Sequence, residues 1–257
     1  MKHQARKRFG QNFLTDDRVI DQIVSAINPQ PTDVIIEIGP GQAALTRSLL
    51  ASGAAMHLLE IDRDLAQSLA RQLEGYDRAT LHVGDALTMD FGDIAGGKAF
   101  RLVGNLPYNI STPVMFHALE WADQIIDMHF MLQREVVERM ASGPGSKAWG
   151  RLSIMCQYYC QVTPLFDVPP EAFSPRPRVQ SSVVKLVPHA KPPVDLISRK
   201  AFDLVVRQAF GQRRKTLRNS LGKLLDSSQI ADAGVDPGLR AEALSMNDFA
   251  KLSRLID

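Results

Sequence analysis

The sequence predicts an α/β protein: a mostly parallel β-sheet covered by helices on both faces, followed by a small all-helical C-terminal domain. Three observations carry that expectation. Short apolar, β-branched runs alternate with amphipathic segments over the first two thirds of the chain, the first run ends in a glycine turn, and strand-like runs cease near residue 190. Strands separated by helices of this length pair in parallel through right-handed crossovers.

Taken in order, an amphipathic stretch near 16–27 precedes Val34-Ile-Ile-Glu-Ile38, a compact run that closes in Gly-Pro-Gly. Runs of the same kind follow at Met56–Ile61, Thr80–Val83, Phe100–Val103 and Met128–Leu132. The helical segments between and after them are expected near 42–52, 63–74, 111–121 and 134–141. Prolines at 164, 169, 170, 175 and 177 then change the pattern, and Ser182–Val187 reads as one more strand. Pro188 and Pro192-Pro193 suggest a linker, so the expected domains are 1–190 and 191–257, the second broken at Gly234 and Asp236-Pro-Gly238.

A chain of 257 residues that is 45% hydrophobic and 23% charged is ordinary for a globular protein, which excludes wholesale disorder, a collagen-like chain and a disulfide scaffold. The longest apolar runs, such as 125–132, are too short to span a bilayer. The basic N-terminus has no apolar segment behind it and is not expected to be a secretory signal. Cys156 and Cys160 cannot make a disulfide framework, so the expected compartment is the reducing cytoplasm.

Net charge is only +2, but its distribution is uneven. Residues 1–8 carry four bases and no acid, and 174–191 carry Arg176, Arg178, Lys185 and Lys191 with no acid. Residues 199–223 hold eight bases against Asp203, Arg213, Arg214, Lys215 and Arg218 being the densest group. Residues 226–257 reverse the sign, with six acids against three bases. Any one block could be a solvated face; together they suit a polyanionic partner.

Glu37-Ile-Gly39-Pro-Gly41-Gln-Ala-Ala44 lies between a strand and a helix, the context a glycine-rich nucleotide turn requires. Gly39 and Gly41 permit a sharp turn and close ligand approach, and Ala44 permits close helix–strand packing. Glu60, 23 residues after Glu37, ends the next strand, where a carboxylate accepts from both ribose hydroxyls. Asp85 and Ala86 follow the third strand, where an acid can take an adenine amino group. A pyrophosphate at the helix N-terminus has no need of a neighbouring acid. An acid at the end of each of three successive strands fits the cationic cofactor S-adenosylmethionine better than a dinucleotide.

Gly104-Asn-Leu-Pro-Tyr-Asn109 follows the fourth strand, at the carboxyl edge where open α/β sheets bind ligands. An exocyclic adenine amine is a poor nucleophile because its lone pair is delocalised into the ring. The Asn105 side-chain oxygen and the Leu106 carbonyl can accept both N–H bonds and leave the lone pair facing a methyl donor. Pro107 fixes the turn, and Tyr108 offers a face for an extruded base. Because stacking needs only the ring, Tyr108→Phe is expected to retain much of the activity.

These motifs resemble the ribosomal RNA adenine dimethyltransferase family, specifically its bacterial small-subunit branch. The resemblance runs from Lys7–Leu14 through Glu37–Gly41, Glu60–Asp62, Gly84–Ala86 and Gly104–Pro113 to Gln133–Val136, Phe173–Pro175 and Phe210–Leu221. It implies a Rossmann-like S-adenosylmethionine-dependent methyltransferase sheet with a helical domain that docks on the ribosome. The implied reaction is N6,N6-dimethylation of two adjacent adenosines in the 3′-terminal hairpin loop of 16S rRNA, in the maturing 30S subunit, by a monomer. By position, it implies that Asn12, Leu14, Gly39, Gly41, Glu60, Asp85, Ala86 and Asn105 contact the cofactor. Asn105, Leu106, Pro107 and Tyr108 would hold the target base, with Phe173 as a second aromatic wall. From charge alone, Arg213, Arg214, Lys215 and Arg218 cluster within six positions, with 214 and 218 expected one turn apart on one helix face, and are expected to contact rRNA phosphates. Ala43 departs from the glycine of many relatives, and its small size suggests little effect. The tail ends soon after Leu255, so a terminal extension of some relatives is expected to be missing.

Other features are expected to be structural. Cys156 and Cys160 are four apart, on one helix face, but no further ligand stands at zinc-site spacing, so no metal is expected. His129, Trp121, Met128 and Met131 read as core. The rival enzyme is the related large-subunit rRNA methyltransferase that confers macrolide resistance, against which the Phe210–Leu221 block argues. The rival of another class is a non-enzymatic assembly factor or transcription accessory, against which an intact Asn105–Tyr108 argues.

Overall fold

The computed structural model describes residues 11–256; the basic block at 1–8 and the part of the Lys7–Leu14 motif before Gln11 lie outside them. In chain order the strands are β1 (Phe13–Leu14), β2 (Val34–Ile38), β3 (Ala55–Glu60), β4 (Ala79–Val83), β5 (Phe100–Asn105), β6 (Ile125–Gln133), β7 (Cys160–Val168), β8 (Phe173–Ser174) and β9 (Ser181–Pro188). The helices are α1 (Asp17–Ile27), α2 (Ala44–Leu50), α3 (Arg63–Gln72), α4 (Phe91–Ile94), α5 (Ser111–Ala118), α6 (Arg134–Ala141), α7 (Arg151–Tyr159), α8 (Arg199–Phe210), α9 (Leu217–Ser220), α10 (Ser227–Asp232) and α11 (Met246–Ser253).

The main sheet has the order β4-β3-β2-β5-β6-β9-β7, parallel from β4 to β6, with β9 antiparallel to β6. All five residues of β2 are buried, as the interior of a sheet covered on both faces demands. Strand order reverses at β2, whose neighbours are β3 and β5, so a crevice opens at the carboxyl ends of β2 and β5. Gly104 makes that junction possible: a Cβ there would stand 2.5 Å from the Ile38 carbonyl oxygen.

Helix α1 buries Ile20, Ile23 and Ile27, spaced along one face, against Ile35, Met56 and Leu58 of the sheet. Asp16 caps its start, and Asn28 ends it in the left-handed conformation. At the amino-terminal edge of the sheet, buried Arg101 makes a bidentate pair with Asp127 (2.8 and 2.7 Å), reaches Asp33 at 2.8 Å, and donates to the Ile27 carbonyl at 2.6 Å. Burial raises the Asp127 carboxyl, but His129 and Arg101 outweigh it and hold it at about 2. His129 is buried mid-strand, its Nδ1 3.5 Å from Asp127.

The chain divides into two compact units: one runs to Val137 and includes Thr163–Pro188, the other comprises Glu138–Val162 and the chain from His189 onward. One crossing thus falls at 188/189, beside the boundary expected near 190, and residues 138–162 join the C-terminal helices. In the second unit α8, capped by Ser198, buries Phe202, Val205 and Val206. The Trp149 indole donates to the Leu244 carbonyl at 2.9 Å. Arg213 donates to the carbonyls of Lys147 and Trp149 at 2.8 and 3.1 Å.

Three local expectations need correction. Strand β7 forms through the proline-rich region despite Pro164; it is the last strand in the order, and an edge strand tolerates a missing N–H. Cys156 lies in α7 but Cys160 begins β7, so the two do not share a helix face; both are buried free thiols, and burial pushes Cys160 up to about 12. Arg214 and Arg218 are not one turn apart on one helix. Residues 213–215 lie in the turn before α9, where Lys215 N–H donates to Gln212 and Thr216 stands at the N-cap.

Candidate active site

The glycine turn after β2 is built on positive φ: Gly39 at 67°, Gly41 at 57° and Ala43 at 65°. A Cβ on Gly39 would meet no atom within 4 Å, and that space belongs to the cleft. A Cβ on Gly41 would lie 3.1 Å from the Phe13 ring. Ala43 is a finding against the expectation of little effect. Its size is accommodated, since it is buried, but its left-handed backbone opposes any Cβ.

Around this turn the cleft collects Glu37, Gly39, Gly41, Glu60, Asp85 and Ala86 with Asn12, Leu14 and Asn105 through Tyr108. These are all but one of the residues expected to bind cofactor or base. Phe173 is the exception. It is 4% exposed, pairs with Leu14 across β1 and β8, and packs into the core instead of lining the cleft. The short ribbon turns its side chain inward.

Each acid is held differently. Glu60 accepts the Gly41 N–H at 3.1 Å on one oxygen and the Asp62 N–H at 2.9 Å on the other. Each oxygen keeps a lone pair for a further donor. Burial raises the Glu60 carboxyl, and these backbone donors oppose the rise. Glu37 is 2% exposed and accepts from the Thr46 hydroxyl at 2.7 Å. Burial drives its carboxyl up to about 7, a rise opposed by Thr46 and reinforced by Glu60. Asp85 accepts from the Leu87 N–H at 3.0 Å, which shapes the turn after β4.

Asn105 ends β5 and donates its side-chain N–H to the Asn12 carbonyl at 2.9 Å. With the nitrogen so engaged, the Oδ1 atom is the acceptor left for a substrate. Leu106 N–H donates to the Met131 carbonyl at 3.2 Å, and Ile110 N–H to the Pro107 carbonyl at 3.1 Å, which closes the turn that carries Tyr108. Residues 11–15 tie down over this end of the sheet: Gln11 reaches Asp62 at 3.3 Å and Thr15 N–H reaches the Ala172 carbonyl at 2.8 Å.

The family model described as ribosomal RNA adenine dimethylase matches residues 2–257. The chain belongs to the ribosomal RNA adenine dimethylase family. It is 54% identical over 257 residues, all of both chains, to the ribosomal RNA small subunit methyltransferase A of Methylococcus capsulatus. It is 54% identical over 253 residues, 98% of this chain and 94% of the relative, to the protein of that name from Pseudomonas fluorescens. Among solved structures, a dimethyladenosine transferase from Plasmodium falciparum is similar with a TM-score of 0.76 at 25% identity, covering 93% of this chain and 95% of the other. The 23S rRNA methyltransferase ErmE is similar with a TM-score of 0.72 at 25% identity, covering 96% and 100%. In this dimethylase the fold is therefore that of the rRNA methyltransferases, and the chain is a methyltransferase.

Sequence reasoning missed Thr46, Gln11 and Ser181, the last within 2.7 Å of the Tyr108 hydroxyl. Thr46 lies in the first turn of α2 just after the glycine turn, but it caps nothing, so no local signal marks its bond to Glu37. Ser181 is 73 residues from Tyr108, and no local signal points to it. Arg213, Arg214, Lys215 and Arg218 are all exposed in the second unit. Among the described residues no helix is long and apolar enough to cross a membrane.

Proposed function

We propose that this dimethylase transfers methyl groups from S-adenosylmethionine to the N6 amines of two adjacent adenosines in the 3′-terminal hairpin loop of 16S rRNA, acting as a cytoplasmic monomer on the maturing 30S subunit. The observation that carries the reading is the oriented Asn105 amide, set beside a cleft that also holds Glu37, Glu60 and Asp85.

The residues present fit the cofactor. Gly39 leaves open space where a side chain would stand, and Glu60 has spare acceptor capacity for a pair of hydroxyls. Buried Glu37 suits a cationic group, and Asp85 suits an adenine amine. When bound, S-adenosylmethionine supplies an electrophilic methyl group on a sulfonium that is already a good leaving group. The chain therefore contributes mainly proximity and orientation. Asn105 Oδ1 accepts one N–H of the target amine and the Leu106 carbonyl the other, which turns the lone pair toward the donor. Tyr108 stacks on the flipped base. The exposed Arg213–Arg218 group neutralises rRNA phosphates.

Incubating the protein with radiolabelled S-adenosylmethionine and 30S particles from an unmethylated strain tests the reading. Label on two adjacent adenosines of the 16S 3′ hairpin supports it. No label on the 30S particles, with label on 23S rRNA supplied in a parallel incubation, would instead favour the activity that the ErmE likeness suggests.

A further inference from the structure

We propose that Ser181 is a positioning residue that locks the ring of Tyr108 through its hydroxyl. The inference rests on the functional reading above, in which Tyr108 stacks on the target base. Ser181 opens β9 and is fully buried at 0% exposure. Its Oγ stands 2.7 Å from the Tyr108 hydroxyl, and the two groups share one proton-donor link. The serine is itself fixed: it pairs in register with Gln133 at the end of the β6–β9 ladder, and the Gln180 carbonyl beside it accepts the Arg134 N–H at 3.0 Å.

Tyr108 is thereby held at both ends. Its main-chain carbonyl accepts from the Ser111 hydroxyl at 3.1 Å, while its phenol is tied to a rigid strand. A tyrosine has two side-chain torsions; anchoring the far end fixes the ring plane against which a base would lie. The next residue does different work. Ser182, on the other face of the strand, donates to the Phe166 carbonyl at 3.2 Å. Of the two adjacent serines, only Ser181 reaches toward the cleft residue. Burial raises the Tyr108 phenol and the Ser181 hydrogen bond opposes the rise, so the contact also has a spectroscopic signature.

This changes the expectation for Tyr108→Phe. A phenylalanine keeps the stacking face but leaves the Ser181 hydroxyl buried without its partner, and the ring free to rotate away from the stacking plane. The hydroxyl of Tyr108 thus matters through its link to Ser181.

The test is a double-mutant cycle read in two ways. Ser181→Ala, Tyr108→Phe and the double variant are compared in single-turnover methylation of saturating, unmethylated 30S particles. Each single change is expected to slow the rate about tenfold, and the double variant to be no slower than the slower single one. Cofactor affinity by calorimetry should stay at the wild-type value in all three. In protein labelled with 13C at tyrosine Cζ, with Tyr108 assigned by its loss in Tyr108→Phe, Ser181→Ala should raise the pH at which Tyr108 titrates. A Ser181→Ala rate equal to wild type, losses that multiply in the double variant, or an unmoved Tyr108 titration each overturns the anchoring. Wild-type protein that labels no adenosine would sink the functional reading instead, and the Tyr108 titration would then decide the anchoring alone.

Discussion

The side-chain nitrogen of Asn105 donates to the backbone carbonyl of Asn12 at 2.9 Å, so the strap of residues before α1 sets which way the candidate catalytic amide faces. An amide free to flip would present nitrogen or oxygen to the cleft. Here the nitrogen donates to the Asn12 carbonyl, and under the proposed function the oxygen is the atom that would accept from the target amine.

Asn105→Ala should suppress single-turnover methylation by at least tenfold while leaving the fold intact, because it removes an interaction that strengthens as the amine becomes a nucleophile. Asn105→Asp should be no better. A carboxylate oxygen facing the Asn12 carbonyl replaces attraction with repulsion. Rates at wild-type level in either variant would remove the amine-orienting role.

Glu60→Ala should weaken S-adenosylmethionine binding by about tenfold or more, since charge-assisted hydrogen bonds contribute about 1.5–3 kcal/mol each. It should also lower the melting temperature of the free protein, because the Gly41 and Asp62 N–H groups lose their acceptor. Calorimetric titration checks the first effect and thermal unfolding the second. Unchanged affinity with lowered stability would make Glu60 a purely structural brace.

Glu37 should make the free protein's stability depend on pH. Its folded-state carboxyl, at about 7, lies above its ordinary value of 4.5, so burying it favours the protonated form. The resulting stabilisation is present below the ordinary value and lost as pH rises through about 7. Relative to Glu37→Gln, which cannot ionise, wild-type unfolding free energy should fall by on the order of 3 kcal/mol between about pH 4.5 and pH 8. Denaturant titrations of both proteins across that window measure it, and parallel curves would refute it.

Ala43→Gly should stabilise the protein by about 1 kcal/mol, because a left-handed residue with a Cβ costs about 1–2 kcal/mol and glycine returns part of that as unfolded-state entropy. The check is the denaturant midpoint. A lower midpoint in the glycine variant would show that the buried Ala43 methyl contributes more by packing than its backbone costs.

Arg214, Lys215 and Arg218 changed together to Ala should weaken 30S binding and flatten its salt dependence, by about 0.7–0.9 in log–log slope for each rRNA phosphate that is no longer neutralised. Arg213 is left out because it holds the Lys147 and Trp149 carbonyls, so its removal would mix folding with binding. Isotherms at several salt concentrations with an unchanged slope would place the docking surface elsewhere, on the basic block at 174–191 or that at 1–8.

The alternation of strands and helices, the glycine turn and the acids at strand ends are legible in the amino-acid sequence alone, because each is written in local spacing. Glu37, Glu60, Asp85 and Asn105 all lie at or just past the ends of short strand-forming runs, and a parallel sheet necessarily brings such ends to one edge. The remainder depends on distant pairings. The Phe173 side chain turns into the core because β1 and β8 pair across about 160 residues, and β7 forms at an edge that forgives Pro164. The left-handed strain at Ala43 and the turn that separates Arg214 from α9 are backbone states that residue identity alone did not reveal. The Ser181–Tyr108 link needed the whole sheet: only after β6 and β9 pair in register does a buried hydroxyl stand within hydrogen-bond reach of the cleft.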